Sequence, residues 1–349
     1  MLFTVSTLQA ILLLSGSLST TILPALAVPS GGRRHHEAVA AAIMARAPKN
    51  SGAGWPFSSS ESRSSFGITD SFRTDFLSTV EGAPTLVASY PKGSYAGSNK
   101  PGQPKGPGIA GFIFSAAGEP GLRVDQAQEA TLTYEVKFPA GFQFARGGKM
   151  PGLYGGDDAA TASRCSGGRH SDSCWSARIM WRDGGKGELY AYLPTANQKL
   201  AVCKGKCDVK YGASMGTGKW VFPTGTWTKV TERVRLNTIG KNDGEIEVSI
   251  NGASAFKVDG LQLRSSDRGR IRGTMMHTFF GGSSSPDFAS PKDQKAFFRG
   301  FNIEVTQKFG EKAPETPAPE ADPETPEPAL EGKIGKKVKA RALRLTKAH

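Results

Sequence analysis

The amino-acid sequence predicts an all-β protein, a β-jelly roll formed as a sandwich of two antiparallel sheets. Three observations carry this expectation. Between Gly67 and Lys308, short runs alternate apolar with polar residues and are rich in β-branched and aromatic side chains, as half-buried strands are. Turn signals built from Gly, Asp and Asn separate those runs, and extended helical periodicity is scarce in the same span. The clearest strands run from Thr131 to Phe138, Ser176 to Trp181, Glu188 to Leu193, Thr228 to Leu236 and Glu245 to Ile250, followed by Arg270 to Phe280 and Phe297 to Val305. Many short strands in one span of this length favour a single sandwich domain over 67–308.

The flanks have a different texture. The apolar run through Ile11 to Leu14 and the small-residue site Ala25-Leu26-Ala27 make residues 1–27 a signal peptide, so the protein is expected to be secreted and extracellular. A buried N-terminal strand is the competing reading. Residues 28–66 are propeptide-like or a flexible linker. Arg33-Arg34 suits dibasic processing or belongs to an ordinary N-terminal arm, and Asn50 to Ser65 is rich in Ser and Gly. Residues 309–349 form a tail expected to be disordered: Glu311 to Glu331 alternates Pro with acids, and Lys333 to His349 is basic.

The formal net charge is +13, and the excess of cations persists within Gly67 to Lys308. A basic surface outside the cell suits polyanions: acidic polysaccharide, phosphorylated wall material or a membrane surface. Nucleic acid is not the expected partner of an exported protein, and no stretch after the signal is long and apolar enough to span a bilayer. Four cysteines, Cys165, Cys174, Cys203 and Cys207, are read as two local disulfides in an oxidising compartment, with the pairing left open. A zinc site is the alternative; no Cys-x-x-Cys pair and no well-spaced His supports it, so no metal or other cofactor is expected.

The most informative segment is Ser176-Ala-Arg-Ile-Met-Trp-Arg-Asp-Gly-Gly-Lys-Gly-Glu-Leu-Tyr-Ala-Tyr192. It predicts a β-hairpin with a three-residue turn at Asp183-Gly184-Gly185, which pairs Arg178 with Tyr190 and Ser176 with Tyr192. Alternation then puts Ser176, Arg178, Met180, Glu188, Tyr190 and Tyr192 on one face, toward solvent or a cleft. Ala177, Ile179, Trp181, Leu189 and Ala191 occupy the other, a set suited to a core. The fork of an arginine holds a carboxylate bidentately, and a tyrosine beside cations can exchange a proton. Cross-strand stacking of Tyr on Arg, with no further role, explains the same pattern.

A second segment, Gly147-Gly-Lys-Met-Pro-Gly-Leu-Tyr-Gly-Gly156, weighs toward chemistry. Glycines this dense predict a tight turn whose backbone approaches a ligand, with Lys149 as its cation. A phosphate-cradling loop is excluded because the Gly-x4-Gly-Lys-Ser/Thr order is absent.

Taken in order, that glycine-rich segment, Ser-x-Arg-x-Met-Trp from Ser176, Glu-Leu-Tyr-x-Tyr from Glu188, Thr278-Phe-Phe-Gly-Gly282 and Pro291-Lys-Asp-Gln294 resemble polysaccharide lyase family 14, especially its fungal members. The resemblance spans Gly67 to Val305. It implies a β-jelly roll that cleaves alginate, glucuronan or related uronate polymers, a catalytic Lys149, and Arg178, Tyr190, Tyr192 and Ser176 in the cleft. A cysteine-containing insertion between Lys149 and Ser176 departs from the family pattern. The implied reaction is β-elimination: Arg178 with Ser176 would hold the carboxylate, and one of Tyr190 and Tyr192 would act as base and acid. Lys149 would lower that tyrosine's pKa or move the proton itself.

Further substrate-binding candidates are Arg146, Arg270, Arg272 and His277. His277 is either a satisfied structural histidine, which its place opposite Thr278 and Phe280 favours, or a cleft residue. Asp157-Asp158 is a weak cation-binding candidate. Glycoside hydrolysis needs two facing carboxylates. Glu245 and Glu247 share a face but alternate with Ile246, Val248 and Ile250 as a solvated face does, so hydrolysis is disfavoured. The competing classes are a non-catalytic lectin-like module for acidic glycans and a wall protein held by its basic tail. The chain is expected to act as a monomer on acidic polysaccharide.

Overall fold

The structure, a computed structural model, describes residues 76–96, 111–118, 122–169, 171–194, 211–283 and 285–311. The expected signal peptide, the 28–66 segment, Cys203 and Cys207, and the acidic and basic tail blocks beyond Glu311 lie outside the described residues.

The described chain folds as a β-jelly roll of two seven-stranded sheets. The first sheet runs β1 (Leu77–Val80), β2 (Ala83–Tyr90), β14 (Gln294–Lys308), β4 (Ala127–Lys137), β10 (Trp227–Arg235), β11 (Gly244–Ile250) and β12 (Ala253–Leu261). The second runs β3 (Phe112–Ala116), β13 (Arg270–Phe280), the short β5 (Gly147–Lys149) and β6 (Gly152–Gly156), then β7 (Cys174–Arg182), β8 (Gly187–Tyr192) and β9 (Ala213–Met215). Both β5 and β6 lie between β13 and β7, and all pairing between these strands is antiparallel. One α-helix of the described residues, α1 (Ala159–Ser163), sits against β6 and β7.

Alternation explains how the sheets face each other. Along β4, Ala130, Leu132, Tyr134 and Val136 are buried, while Thr131, Thr133, Glu135 and Lys137 face outward. The same period on β7 and β8 buries Ala177, Ile179, Trp181, Leu189 and Ala191 between the sheets. Large rings fill the middle: Phe138 and Phe280 pack edge-on to Trp181 at centroid separations of 5.5 and 5.3 Å. Edge-on contact puts the positive rim of one ring on the negative face of the next. On the outer face of the first sheet, Arg233 binds Glu129, Glu245 and Glu247, so the latter two form no acid pair facing a cleft.

One expectation needs correction, that Lys149 stands in a tight turn; it ends strand β5, and the glycines around it serve packing within the protein. A Cβ on Gly148 would lie 1.9 Å from the Trp181 ring, and one on Gly152 would lie 2.0 Å from the Ala177 carbonyl. The strand is glycine-rich because a core tryptophan and a neighbouring backbone occupy the space a side chain would need. Strand β13 does not alternate evenly from end to end. A bulge between Ile271 and Gly273 shifts the register, so the face carrying Arg270 and Arg272 continues as Met275, His277 and Phe279. Gly273 has φ 136°, and a Cβ there would meet the Ala116 carbonyl at 2.1 Å.

Candidate active site

The site lies on the outer face of the second sheet and grows from the β7–β8 hairpin. Its register pairs Arg178 with Tyr190 and Ser176 with Tyr192, as the alternation predicts. The turn residues Gly184 and Gly185 have φ of 66° and 78°, a conformation that favours glycine. β5 joins the hairpin on one side and pairs Lys149 with Met180; β13 then brings His277 and Phe279. Lys149, Arg178, Tyr190, Tyr192 and His277 meet in one cleft of about 1130 Å³.

Burial sets the chemistry of these groups. Lys149 is 5% exposed; its Nζ lies 3.2 Å from the Tyr190 ring centroid and contacts the Met180 sulfur. Burial, followed by the charges of Arg178 and Arg182, pulls its pKa well below the ordinary lysine value, with Glu188 opposing. A neutral amine is therefore accessible far below the usual pH. Burial also pushes the Tyr190 hydroxyl above the ordinary tyrosine value, and Tyr192 beside it adds to the shift. One group is poised to accept a proton and its neighbour to hold one.

Arg178 is the second buried cation, 3% exposed. Its Nη1 lies 3.2 Å from Nδ1 of His277, and its Nε has no hydrogen-bond partner. Burial lowers its pKa to about 10, opposed by Tyr192 and Tyr190, so it stays a cation at neutral pH. Burial and then the charges of Arg178 and Lys149 drive His277 well below its ordinary value, so the imidazole is neutral. Its Nδ1 lone pair can then accept from the guanidinium. Two backbone N–H groups address the tyrosines: Gly212 donates to the Tyr190 hydroxyl at 3.0 Å and Gly168 to the Tyr192 hydroxyl at 2.9 Å.

No carboxylate of the described residues lines this cleft. Glu188 is close behind it but committed, accepting from Arg182 Nε at 3.0 Å and Nη2 at 2.5 Å and from the Thr217 hydroxyl at 2.6 Å. Burial works to raise its pKa, but those bonds outweigh it and hold the group below the usual carboxylate value. A buried guanidinium with an unpartnered N–H and no facing carboxylate is an incomplete ion pair, which an anionic ligand would complete.

The other sequence candidates fall elsewhere. Ser176 is on the expected face, but its hydroxyl donates to the Cys165 carbonyl at 2.7 Å and does not line the cleft. Arg146 is exposed beside Asp287, at 4.0 Å. Arg270 stacks over Phe309, and Arg272 donates to the carbonyls of Gly156, Asp157 and Arg268. None of these three arginines lines the cleft. Asp158 caps α1 by accepting from the Thr161 N–H at 2.8 Å, and Asp157 lies 3.6 Å from Arg268; neither belongs to a metal-binding cluster among the described residues. Cys165 and Cys174 form a disulfide.

Sequence reasoning missed Arg164, Arg169 and Tyr211, which line the cleft from outside the hairpin. It also passed over the Arg182–Glu188 pair. The register held that signal, since Glu188 opposes Met180 and Arg182 lies diagonally two residues on.

A jelly roll whose open face buries a lysine, an arginine and two tyrosines in a cleft lined by no carboxylate of the described residues has the architecture of a polysaccharide lyase. The chain belongs to the polysaccharide lyase 14 family, whose model matches residues 78–301. It is similar to the marine alginate lyase from Aplysia kurodai, at 33% identity and a TM-score of 0.57, covering 66% of this chain and 87% of that one. It is also similar to an alginate lyase from a Chlorella virus, at 30% identity and a TM-score of 0.54, covering 66% and 88%. Exolysin of Paramecium bursaria Chlorella virus 1 matches at 23% identity over 175 residues, which is 45% of this chain and 26% of that protein. The chain thus spans about a quarter of the length of that relative.

Proposed function

We propose that the protein is a polysaccharide lyase that cleaves a uronate polymer of alginate or glucuronan type by β-elimination. The observation that carries this is the burial of Lys149 and Arg178 together in a cleft lined by no carboxylate of the described residues. Arg178 would bind the uronate carboxylate and neutralise it, making the proton on carbon 5 acidic and stabilising the enolate-like charge that develops. Lys149, neutral because it is buried beside cations, would take that proton. As the carbon 4–carbon 5 double bond forms, the bond from carbon 4 to the glycosidic oxygen breaks. Tyr190, kept protonated by burial, would give its proton to the departing oxygen. The lysine then returns its proton to the phenolate it already faces, and both groups are restored. His277 would keep the Arg178 fork oriented.

Alginate is the first substrate to test, because two solved relatives at 33% and 30% identity are alginate lyases. The protein is incubated separately with alginate, glucuronan and pectate while the ultraviolet absorbance of the unsaturated uronate end is followed. The reading expects a rise on at least one polymer and its loss in Lys149→Ala. Binding of the same polymers with no rise would make the protein a lectin-like module instead.

We also propose that it acts outside the cell as a monomer. The apolar leader ending near Ala27 and the Cys165–Cys174 disulfide support export. Protein recovered from culture medium with an N-terminus near Val28 and a monomer's mass would bear this out; full-length protein retained in cells would contradict it.

A further inference from the structure

Glu232, a fully buried acid, has no part in the proposed reaction. It stands on the inner face of β10 between Val230 and Val234, in the core that separates the two sheets. Its Oε2 accepts from the backbone N–H of Leu153 at 2.8 Å, and its Oε1 has no hydrogen-bond partner. Burial, opposed by that N–H, pushes its carboxyl well above the ordinary carboxylate range, so the group is a neutral acid at neutral pH. An apolar side chain would fill the same place without the cost of burying a carboxyl.

The N–H that Glu232 accepts from belongs to an irregular stretch of the opposite sheet. From Lys149 to Tyr154 the chain advances five residues, whereas β7 beside it advances four, from Met180 to Ser176. The extra residue is a β-bulge, and it turns the alternation over. Lys149 and Tyr154, an odd number apart, both line the cleft, while Met150 and Leu153 both lie in the core. Two backbone groups of this stretch are taken by side chains of the first sheet that reach across the core. Glu232 accepts from Leu153, and the Tyr134 hydroxyl of β4 donates to the Pro151 carbonyl at 3.2 Å. Within the second sheet, Thr274 of β13 donates to the Gly152 carbonyl at 3.0 Å. The stretch that follows Lys149 is therefore tied at three successive residues, and two of the ties come from the opposite layer.

We propose that Glu232 is a positioning residue: it holds, from the opposite sheet, the bulge that follows Lys149, and so fixes where the Lys149 amine stands over the Tyr190 ring. This rests on the function proposed above, in which Lys149 moves the proton. Glu232 touches no reacting atom; it acts through the backbone from Leu153 back to the strand that carries the amine. Reacting groups tolerate little displacement, and a shift of about 1 Å can cost about a hundredfold in rate. The same placement keeps the amine buried near the charges of Arg178 and Arg182, which together lower its pKa. A slackened bulge should therefore change two things at once. The chemical step slows, and the pH below which protonation of Lys149 abolishes activity moves up toward the ordinary lysine value.

The test measures kcat, KM and the pH dependence of kcat/KM on the polymer that the wild type cleaves, well below each variant's melting temperature. Glu232→Leu should lower kcat by about tenfold to a hundredfold, leave KM within about twofold, and move the acid limb of the pH profile upward. Glu232→Gln, whose amide oxygen can still accept from Leu153, should recover most of both effects. Tyr134→Phe, which removes the other tie across the core, should shift both in the same direction by less. Val234→Ala, on the same core face with no hydrogen bond to the bulge, should lower the melting temperature and leave kcat and the limb in place. Glu232→Leu with wild-type kcat and an unmoved limb overturns the proposal, as does a fall in kcat that Val234→Ala reproduces, which is what lost packing alone would give. If Glu232→Leu does not fold, Tyr134→Phe decides: wild-type kcat and an unmoved limb there overturn the proposal. Wild-type protein that forms no unsaturated ends on any uronate polymer overturns the functional reading itself, and this role with it.

Discussion

The outer faces of the two sheets are both rich in cations, and they treat them in opposite ways. On the first sheet Arg233 is held by Glu129, Glu245 and Glu247, and Arg299 by Glu135 while stacking on Trp227. These charges are half-buried and matched, so they need nothing from outside. On the second sheet Lys149 and Arg178 are almost fully buried, share a cleft lined by no carboxylate of the described residues and contact the uncharged Met180, Tyr190, Tyr192 and His277. A matched cation is part of the fold. An unmatched buried cation raises the energy of the folded state until an anion arrives, and it persists because the ligand supplies what the protein lacks.

The contrast is broken most sharply at Lys149. Lys149→Ala should lower kcat by about a thousandfold or more if the amine moves the proton, with the melting temperature unchanged or raised, since a lysine whose pKa is pulled down by burial destabilises the folded state. A change of less than tenfold in turnover would place the base elsewhere. Arg178→Ala should cost about a hundredfold to a thousandfold in kcat/KM, and Arg178→Lys should restore little of it, because a point charge does not replace a planar fork. Tyr190→Phe removes the proposed acid and keeps the ring over Lys149; kcat should fall by about a hundredfold.

The pH profile sharpens the assignment. Lys149 must be neutral to accept a proton, so activity should be lost as pH falls through its lowered pKa, giving an acid limb far below the ordinary lysine value. Tyr190 must be protonated, and its raised pKa should keep any alkaline loss from that group above the ordinary tyrosine value. In Tyr190→Phe the acid limb should remain. Disappearance of that limb would assign it to the tyrosine. The smallest effect belongs to the matched face: Arg233→Ala should leave kcat/KM unchanged while reducing stability by about 1–2 kcal/mol, readable by denaturant unfolding.

How much of this was legible in the sequence depended on the kind of signal. The β7–β8 hairpin was readable to the residue, because period-two alternation and a Gly-Gly turn fix register and face together. The glycine-rich strands were not. Gly147 to Gly156 has turn composition, and only the position of Trp181 in the opposite layer explains why a strand there must lack side chains. The β13 bulge was equally hidden, since a shift of one residue leaves no mark on an alternating pattern except a glycine. Ser176 has the right face and the wrong partner: its hydroxyl is drawn to the Cys165 carbonyl by a disulfide loop whose shape the sequence did not specify. Arg164 and Arg169 were missed for the same reason, because a disulfide loop carries them across to the cleft and no periodicity does.

The central claim is that Arg178 is unmatched in order to seat a uronate carboxylate, and calorimetry tests it most directly. Uronate oligosaccharides are titrated into Lys149→Ala, which should bind without cleaving, and into Lys149→Ala/Arg178→Ala. The account predicts clear binding to the first and a loss of about tenfold to a hundredfold in affinity in the second. Equal affinity of the two variants would contradict it, and would mean that the guanidinium is buried in the cleft for a reason other than the substrate.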